Sequence, residues 1–149
     1  MTDFPASDLP LRFSLALHTT ARAWRLALDA RLRDLGISQA GWMTIAMVAR
    51  SSAALSQKQL ADLLGVEGPT IVAMIDRLVG AGLVARAPSA RDRRVKLIGL
   101  TDAGQALYGK VQARADVFRA DLLAELDPAT LLAATGVLEA LQARIEALQ

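Results

Sequence analysis

Five cationic side chains, Arg86, Arg91, Arg93, Arg94 and Lys96, fall in one short stretch and are opposed there only by Asp92. Residues of this type at this density bind polyanions. Guanidinium groups pair with phosphate oxygens, and the negative potential of a narrow DNA minor groove attracts them further. A carboxylate among them is misplaced for simple phosphate attraction. Asp92 is better explained as a hydrogen-bond acceptor for a neighbour, Arg94 above all, that fixes the shape of the loop. The bland alternative is a solvated hairpin tip, the usual fate of a charge run.

The rest of the chain offers little covalent or metal chemistry. Cysteine is absent and His18 is the only histidine. Thiolate redox chemistry, cysteine-ligated zinc and a multi-histidine metal site within one chain are therefore excluded. No nucleophile paired with a base, phosphate-cradling glycine loop or metal cluster is visible, so an enzyme is not expected, nor a cofactor. The charge balance, 17 basic against 15 acidic residues in 149, decides nothing by itself. Apolar residues make up 53% and aromatics 4%, a mixture that favours helices packed by aliphatic side chains. No apolar run approaches the roughly 20 residues of a membrane span. The opening residues Met1-Thr-Asp-Phe-Pro lack the basic-then-apolar order of a signal peptide. The expectation is a soluble cytoplasmic protein with no membrane partner.

The elements that must position the basic stretch follow from caps and periodicity. Asp8 caps a long helical pattern that includes Leu11, Leu15, Leu28 and Leu32, with Pro10 in its first turn and Gly36 to close it. Ser38 caps a second helix, Gln39 to about Arg50, and the stretch from Ser51 to Ala54 connects. Ser56 opens a short helix to about Leu64, with Leu60, Leu63 and Leu64 expected on its inner side; Gly65 supplies a sharp turn. Gly68-Pro69 announces the next helix, in which Ile71, Ile75 and Leu78 share one face while Thr70, Ala73 and Arg77 fall away from it. Gly80 and Gly82 end it. Two β patterns, Leu83 to Ala87 and Val95 to Leu100, flank the polar connector that carries the arginines. Thr101 caps a long helix to about Leu126, and Asp127-Pro128 starts a last one. There Leu131, Ala134, Leu138, Leu141, Ile145 and Leu148 recur at alternating steps of three and four, a heptad seam.

Helix, tight turn, helix, strand, basic loop, strand is the order of a winged helix-turn-helix. Such a unit lays its second helix in the major groove and its wing beside it. Pro69 stands at the tip of that helix, with Thr70, Ala73 and Arg77 outward. Ala73 has no hydrogen-bonding group, so its direct readout is limited to a thymine methyl. Glu67, just before the helix, can accept from a cytosine amino group or simply interact with the helix dipole. Asp76 reads as a structural partner for a nearby arginine, since a carboxylate repels phosphate. The fold class is mainly α with a small β-wing: a winged helix-turn-helix over residues 37–100, flanked by helical dimerisation regions at 1–36 and 101–149. The seam residues Leu131, Leu138, Leu141, Ile145 and Leu148 are the expected contact between two copies, because the central unit already has its own core.

These motifs carry a resemblance. Val66-Glu-Gly-Pro-Thr-Ile-Val, then Ile75-Asp-Arg-Leu and Gly82-Leu-Val, then Asp92-Arg-Arg-Val-Lys-Leu-Ile-Gly-Leu-Thr, look like the MarR family of regulators, most closely its SlyA-like branch. Asp92, Arg94, Leu100 and Thr101 match the family's wing signature, and Gly104 fits the pattern after it. The resemblance implies a homodimer whose terminal helices interlock and whose two winged units read a palindromic operator on double-stranded DNA, as a repressor or activator. It implies Arg94 as the minor-groove residue with Asp92 as its anchor, and Pro69, Thr70, Ala73 and Arg77 at the major groove. It also implies control by a small aromatic or anionic effector bound between the two regions. The absence of cysteine removes peroxide sensing by a thiol, and Ala73 stands where relatives often carry a longer polar side chain.

For such an effector the candidates are His18, Arg22 and Trp42. Arg22 can pair with a carboxylate and the indole of Trp42, like that of Trp24, can stack on a ring. The plainer reading of these residues is core or interface packing. A competing function is a winged-helix module that binds protein and never touches DNA. It calls for a wing poor in arginine, which this chain does not have.

Overall fold

The computed structural model describes residues 8–148. The stretch 1–5 read for a targeting sequence lies outside the described residues. The chain falls into two compact units, one ending at Ala115 and the other beginning at Asp116.

The first unit holds α1 (Leu9–Leu32), a short 3-10 turn (Arg33–Leu35), α2 (Gln39–Arg50), β1 (Leu55–Ser56), α3 (Gln57–Leu64), α4 (Gly68–Gly80), β2 (Val84–Pro88), β3 (Lys96–Leu100) and most of α5 (Asp102–Leu123). The expected caps are present. Asp8 accepts from the Leu11 N–H, Ser38 from that of Gly41, and Ser56 forms a reciprocal capping box with Gln59. The first helix ends earlier than its pattern, at Leu32, and tightens into the 3-10 turn before Gly36 takes the left-handed conformation.

One core joins α2, both helices of the helix-turn-helix and the sheet: Ile45, Leu60, Ala61, Ile71, Met74, Ile75, Leu78, Val84 and Ile98. Each of the larger side chains here contributes about 1.5–3 kcal/mol on leaving water, and the methyl of Ala61 about 0.8 kcal/mol, so this cluster, and not the charged loop, sets the geometry of the unit. Thr44, buried beside it, satisfies its hydroxyl by donating to the Ala40 carbonyl at 2.7 Å. Leu63 corrects an expectation: it is exposed, and Ala61 takes the inner position. The reason is rotation. A residue three places on lies about 60° short of a full turn, which carries Leu63 to the side away from Ala61.

The sheet is antiparallel in the order β1-β3-β2. The two expected strands form, each shifted one residue toward the C-terminus at its start, with Val84 opposite Leu100 and Pro88 opposite Lys96. The connector after α2 ends in a third strand, where Leu55 pairs with Ile98. Thr101 then locks the sheet to α5. Its hydroxyl donates to the Gly82 carbonyl at 2.6 Å and accepts the Gly104 N–H at 3.1 Å, while its own N–H donates to the Leu83 carbonyl. Gly104 sits so close to that carbonyl that a Cβ there would lie 1.9 Å from the Leu83 oxygen. Farther along α5, Arg114 pairs with Asp34 and donates to the Arg31 carbonyl, tying α5 to the end of α1.

The second unit holds the end of α5 and α6 (Pro128–Glu146). Asp127 caps α6 by accepting the Thr130 N–H at 2.9 Å, and that bond holds its carboxyl below the ordinary value. The preceding helix stops at Leu123, short of the expected Leu126: the chain closes there in a tighter turn, the Leu126 N–H donating to the Leu123 carbonyl at 3.1 Å, and Asp127, before Pro128, is extended. No described residue of α6 is buried. The seam positions Leu138, Ile145 and Leu148 are 46%, 52% and 86% exposed on the single chain; Leu131 and Leu141 are half-buried. Among the described residues no helix is long and apolar enough to cross a membrane.

Candidate nucleic-acid interface

The turn between α3 and α4 is built by Gly65, which adopts φ 63°, the left-handed region where a Cβ is strained. Its N–H and that of Val66 return to the carbonyls of Asp62 and Ala61, closing α3 and turning the chain sharply into α4. Glu67 stands at the N-cap of α4 but makes no side-chain capping bond, leaving its carboxylate uncommitted at the helix tip.

At about 100° per residue, the faces of α4 separate cleanly. Ile71, Met74, Ile75 and Leu78 share one arc and are all buried. Pro69, Ala73 and Asp76 lie at the middle of the opposite arc, with Val72 on one flank and Thr70 and Arg77 on the other; all six are exposed. The helix therefore presents a narrow, nearly smooth outer face. Its small side chains allow close approach to a groove about as wide as a helix. Arg77 also lies in the wall of a cavity of about 410 Å³ that reaches under α4 past Met74, Leu35 and Leu107. His18, Arg22 and Trp42 do not line this cavity.

The wing is an ordered loop. The Ser89 N–H donates to the Val95 carbonyl at 2.9 Å, extending the hairpin, and the Val95 N–H returns to the Asp92 carbonyl. Asp92 accepts three bonds from Arg94: the backbone N–H at 2.9 Å, and Nε and Nη2 at 3.2 Å each, one to each carboxylate oxygen. This is the contact expected of Asp92 from the sequence. The fork holds the Asp92 carboxyl below its ordinary value, through the Arg94 side chain first and its backbone N–H second. Arg94 stays 91% exposed while so held, because the pairing uses one edge of its guanidinium and leaves the other outward. Arg91, Arg93 and Lys96 are exposed around it.

Arg86 differs from the other cations of the stretch. It is half-buried at the base of the wing, and donates from Nη2 to Asp76 at 2.6 Å and from Nε to Gln57 at 2.9 Å. Gln57 carries no sequence signal for such a role. The alternation Val84-Ala85-Arg86 does carry one, since a period of two sets Arg86 on the same face as buried Val84. Of the candidate effector residues, His18 and Arg22 are exposed, and Trp42 is half-buried with its Nε1 enclosed and without a hydrogen-bond partner. Among the described residues no group of His, Asp or Glu could hold a metal.

Comparison with known proteins agrees with this arrangement. A model of the MarR family matches residues 35–95, which span the helix-turn-helix and most of the wing. The crystal structure of transcriptional regulator PA3341 is 40% identical, with a TM-score of 0.83 over 90% of this chain and 98% of that one. CouR from Rhodococcus jostii RHA1, solved with p-coumaroyl-CoA, is 22% identical with a TM-score of 0.76 over 91% of this chain and 92% of its own. A MepR variant from S. aureus, solved with an oligodeoxyribonucleotide, is 24% identical with a TM-score of 0.61 over 92% and 98%. The last two share the fold. With the helix-turn-helix, the arginine wing and a close relative that is a transcriptional regulator all in agreement, the chain belongs to the MarR family and is a DNA-binding regulator of transcription, not an enzyme.

Proposed function

We propose that the protein acts as a homodimer that reads a palindromic operator, each protomer setting α4 in the major groove and the wing in the adjacent minor groove. The carrying observation is Arg94, a fully outward cation whose direction is fixed by Asp92. A preorganised guanidinium loses less freedom on entering a narrow groove than a floppy one. In this reading Pro69, Thr70, Ala73 and Arg77 face the bases. Arg91, Arg93 and Lys96 neutralise phosphates, and residues 37–100 form the reading head. Ala73 limits direct readout to a thymine methyl, so part of the specificity comes from groove width and deformability. The SlyA-like branch remains our assignment on the wing and helix motifs.

Two observations support the dimer. No described residue of α6 is fully buried on the single chain, its stripe residues Leu138, Ile145 and Leu148 are exposed, and apolar residues of α1 such as Leu11, Phe13 and Leu15 are exposed too. A second copy is the simplest occupant of a seam at heptad spacing. Control by a small aromatic or anionic effector is supported by the unpaired Trp42 Nε1 and by the cavity under α4. A carboxylate drawn to Arg77 there would compete with DNA for the same cation. CouR, which shares the fold, was solved with an aromatic acyl-CoA. His18 and Arg22, exposed on α1, are assigned to the same effector, to be met in the assembled dimer. The test is to sequence the genomic fragments that the purified protein retains. A palindromic motif with half-sites about one helical turn apart supports the proposal; fragments with no shared motif, or a motif without twofold symmetry, contradict it.

A further inference from the structure

Among the cations of the basic stretch, Arg86 alone is half-buried. Its position explains why. In β2 it stands directly opposite Ile98 of β3, a core residue, and two residues from buried Val84, so its side chain leaves the sheet on the core side. A cation in that position has to be paired, and the partners come from two other elements. Nε donates to Gln57, the first residue of α3, and Nη2 to Asp76 on α4. One planar group therefore touches the first helix, the second helix and the wing strand.

We infer that Arg86 is a positioning residue and not a DNA contact: by gripping Asp76 and Gln57 it sets the angle between the wing and α4. The inference rests on the reading of those two elements as the DNA-contacting pair. A guanidinium fork suits the role because its donors are rigidly related, whereas an ammonium is a point charge that cannot hold both partners in one plane. The pair has a second consequence. Asp76 lies at the middle of the exposed arc of α4, where a free carboxylate would repel phosphate; Arg86 neutralises it from the side.

The test uses the full-length protein and the duplex it selects from sheared genomic DNA, with affinity followed by fluorescence anisotropy over a range of salt. Arg86→Met should weaken binding by about tenfold at fixed salt, and in the Arg86→Met/Asp76→Asn double variant, which leaves no free carboxylate on α4, the slope of log affinity against log salt should match the parent's, since no released counterion is lost. Arg86→Lys should not rescue it. Asp76→Asn should also weaken binding, the opposite of what removing a negative charge near DNA does by electrostatics alone. The double variant should bind no worse than the poorer single one. A slope flattened by about one in the double variant, with rescue by Arg86→Lys, makes Arg86 a phosphate contact and overturns the inference. Tighter binding by Asp76→Asn, additive losses, or unchanged affinity overturn it as well. Melting curves at fixed protein concentration accompany each variant, and an affinity loss that only tracks the unfolded fraction counts against positioning. If the unsubstituted protein shows no salt-sensitive affinity for duplex, the DNA reading itself falls and takes this inference with it.

Discussion

Gly104→Ala is a one-carbon change with a large expected effect. The added Cβ would lie 1.9 Å from the Leu83 carbonyl oxygen and 3.0 Å from its carbon, both backbone atoms that no rotamer change can move aside. Either α5 or the Gly82-Leu83 turn must shift. Such a shift breaks the three bonds that Thr101 organises, to Gly82, Leu83 and Gly104. Hydrogen bonds of this kind contribute about 0.5–1.5 kcal/mol each. Overpacking adds about 1–3 kcal/mol, and the better helix propensity of alanine returns up to about 1 kcal/mol. Together these terms give a net loss of about 1.5–6.5 kcal/mol, and its middle, about 4 kcal/mol, lowers Tm by roughly 10 °C in a chain of this size. Gly109 in the same helix has nothing within 4 Å of its Cβ position, so Gly109→Ala should raise Tm slightly. Thermal unfolding by circular dichroism at one fixed protein concentration reads both. If the two variants shift Tm in the same direction, or Gly104→Ala melts with the parent, the close approach of α5 to the turn is wrong.

Three further outcomes follow from the geometry. Asp92→Asn should weaken duplex binding, although it removes a negative charge from the wing, because it releases Arg94; tighter binding in an anisotropy titration would show that the fork does not matter. Because Arg94 holds the Asp92 carboxyl below 3.8, the fork is complete above that ordinary value and fails only as pH falls through the lower folded value. Nitrogen-detected NMR of the Arg94 side chain should therefore stay constant across roughly pH 5–8, and a change inside that window would contradict the brace. Ile145→Asp changes a seam residue that is 52% exposed on the single chain, so it should leave the protomer folded and split the dimer. Sedimentation velocity checks this, with a stable dimer as the contrary result.

Much of the reading head was legible in the sequence because local chemistry determines it. Ser38, Ser56 and Asp127 mark helix starts by a hydroxyl or carboxylate aimed at free N–H groups. Gly65 marks the turn by its left-handed backbone, and Ile71, Ile75 and Leu78 mark the inner face by their spacing. What was not legible is what depends on distant partners. The strand Leu55–Ser56 is two residues long, too short for any periodicity, and exists because Ile98 and Leu97 offer an edge. Leu63 looked internal because a leucine at the next helical step usually is, and only the position of the core decided for Ala61. The basic stretch read as a set of equivalent cations. Folding divides it, since Arg94 is held outward by a residue two places away while Arg86 is held inward by residues of two other helices. The seam of α6 was visible as a pattern, but a pattern does not name what covers it.

The central claim is that α4 and a preorganised arginine wing meet one duplex together, and salt dependence measured side by side for the parent and Arg94→Ala tests it most directly. The parent should bind its selected duplex with a steep inverse dependence on salt, and Arg94→Ala should bind at least tenfold more weakly with the slope reduced by about one, the dimer intact. Equal affinity and equal slope for the two proteins would contradict the account.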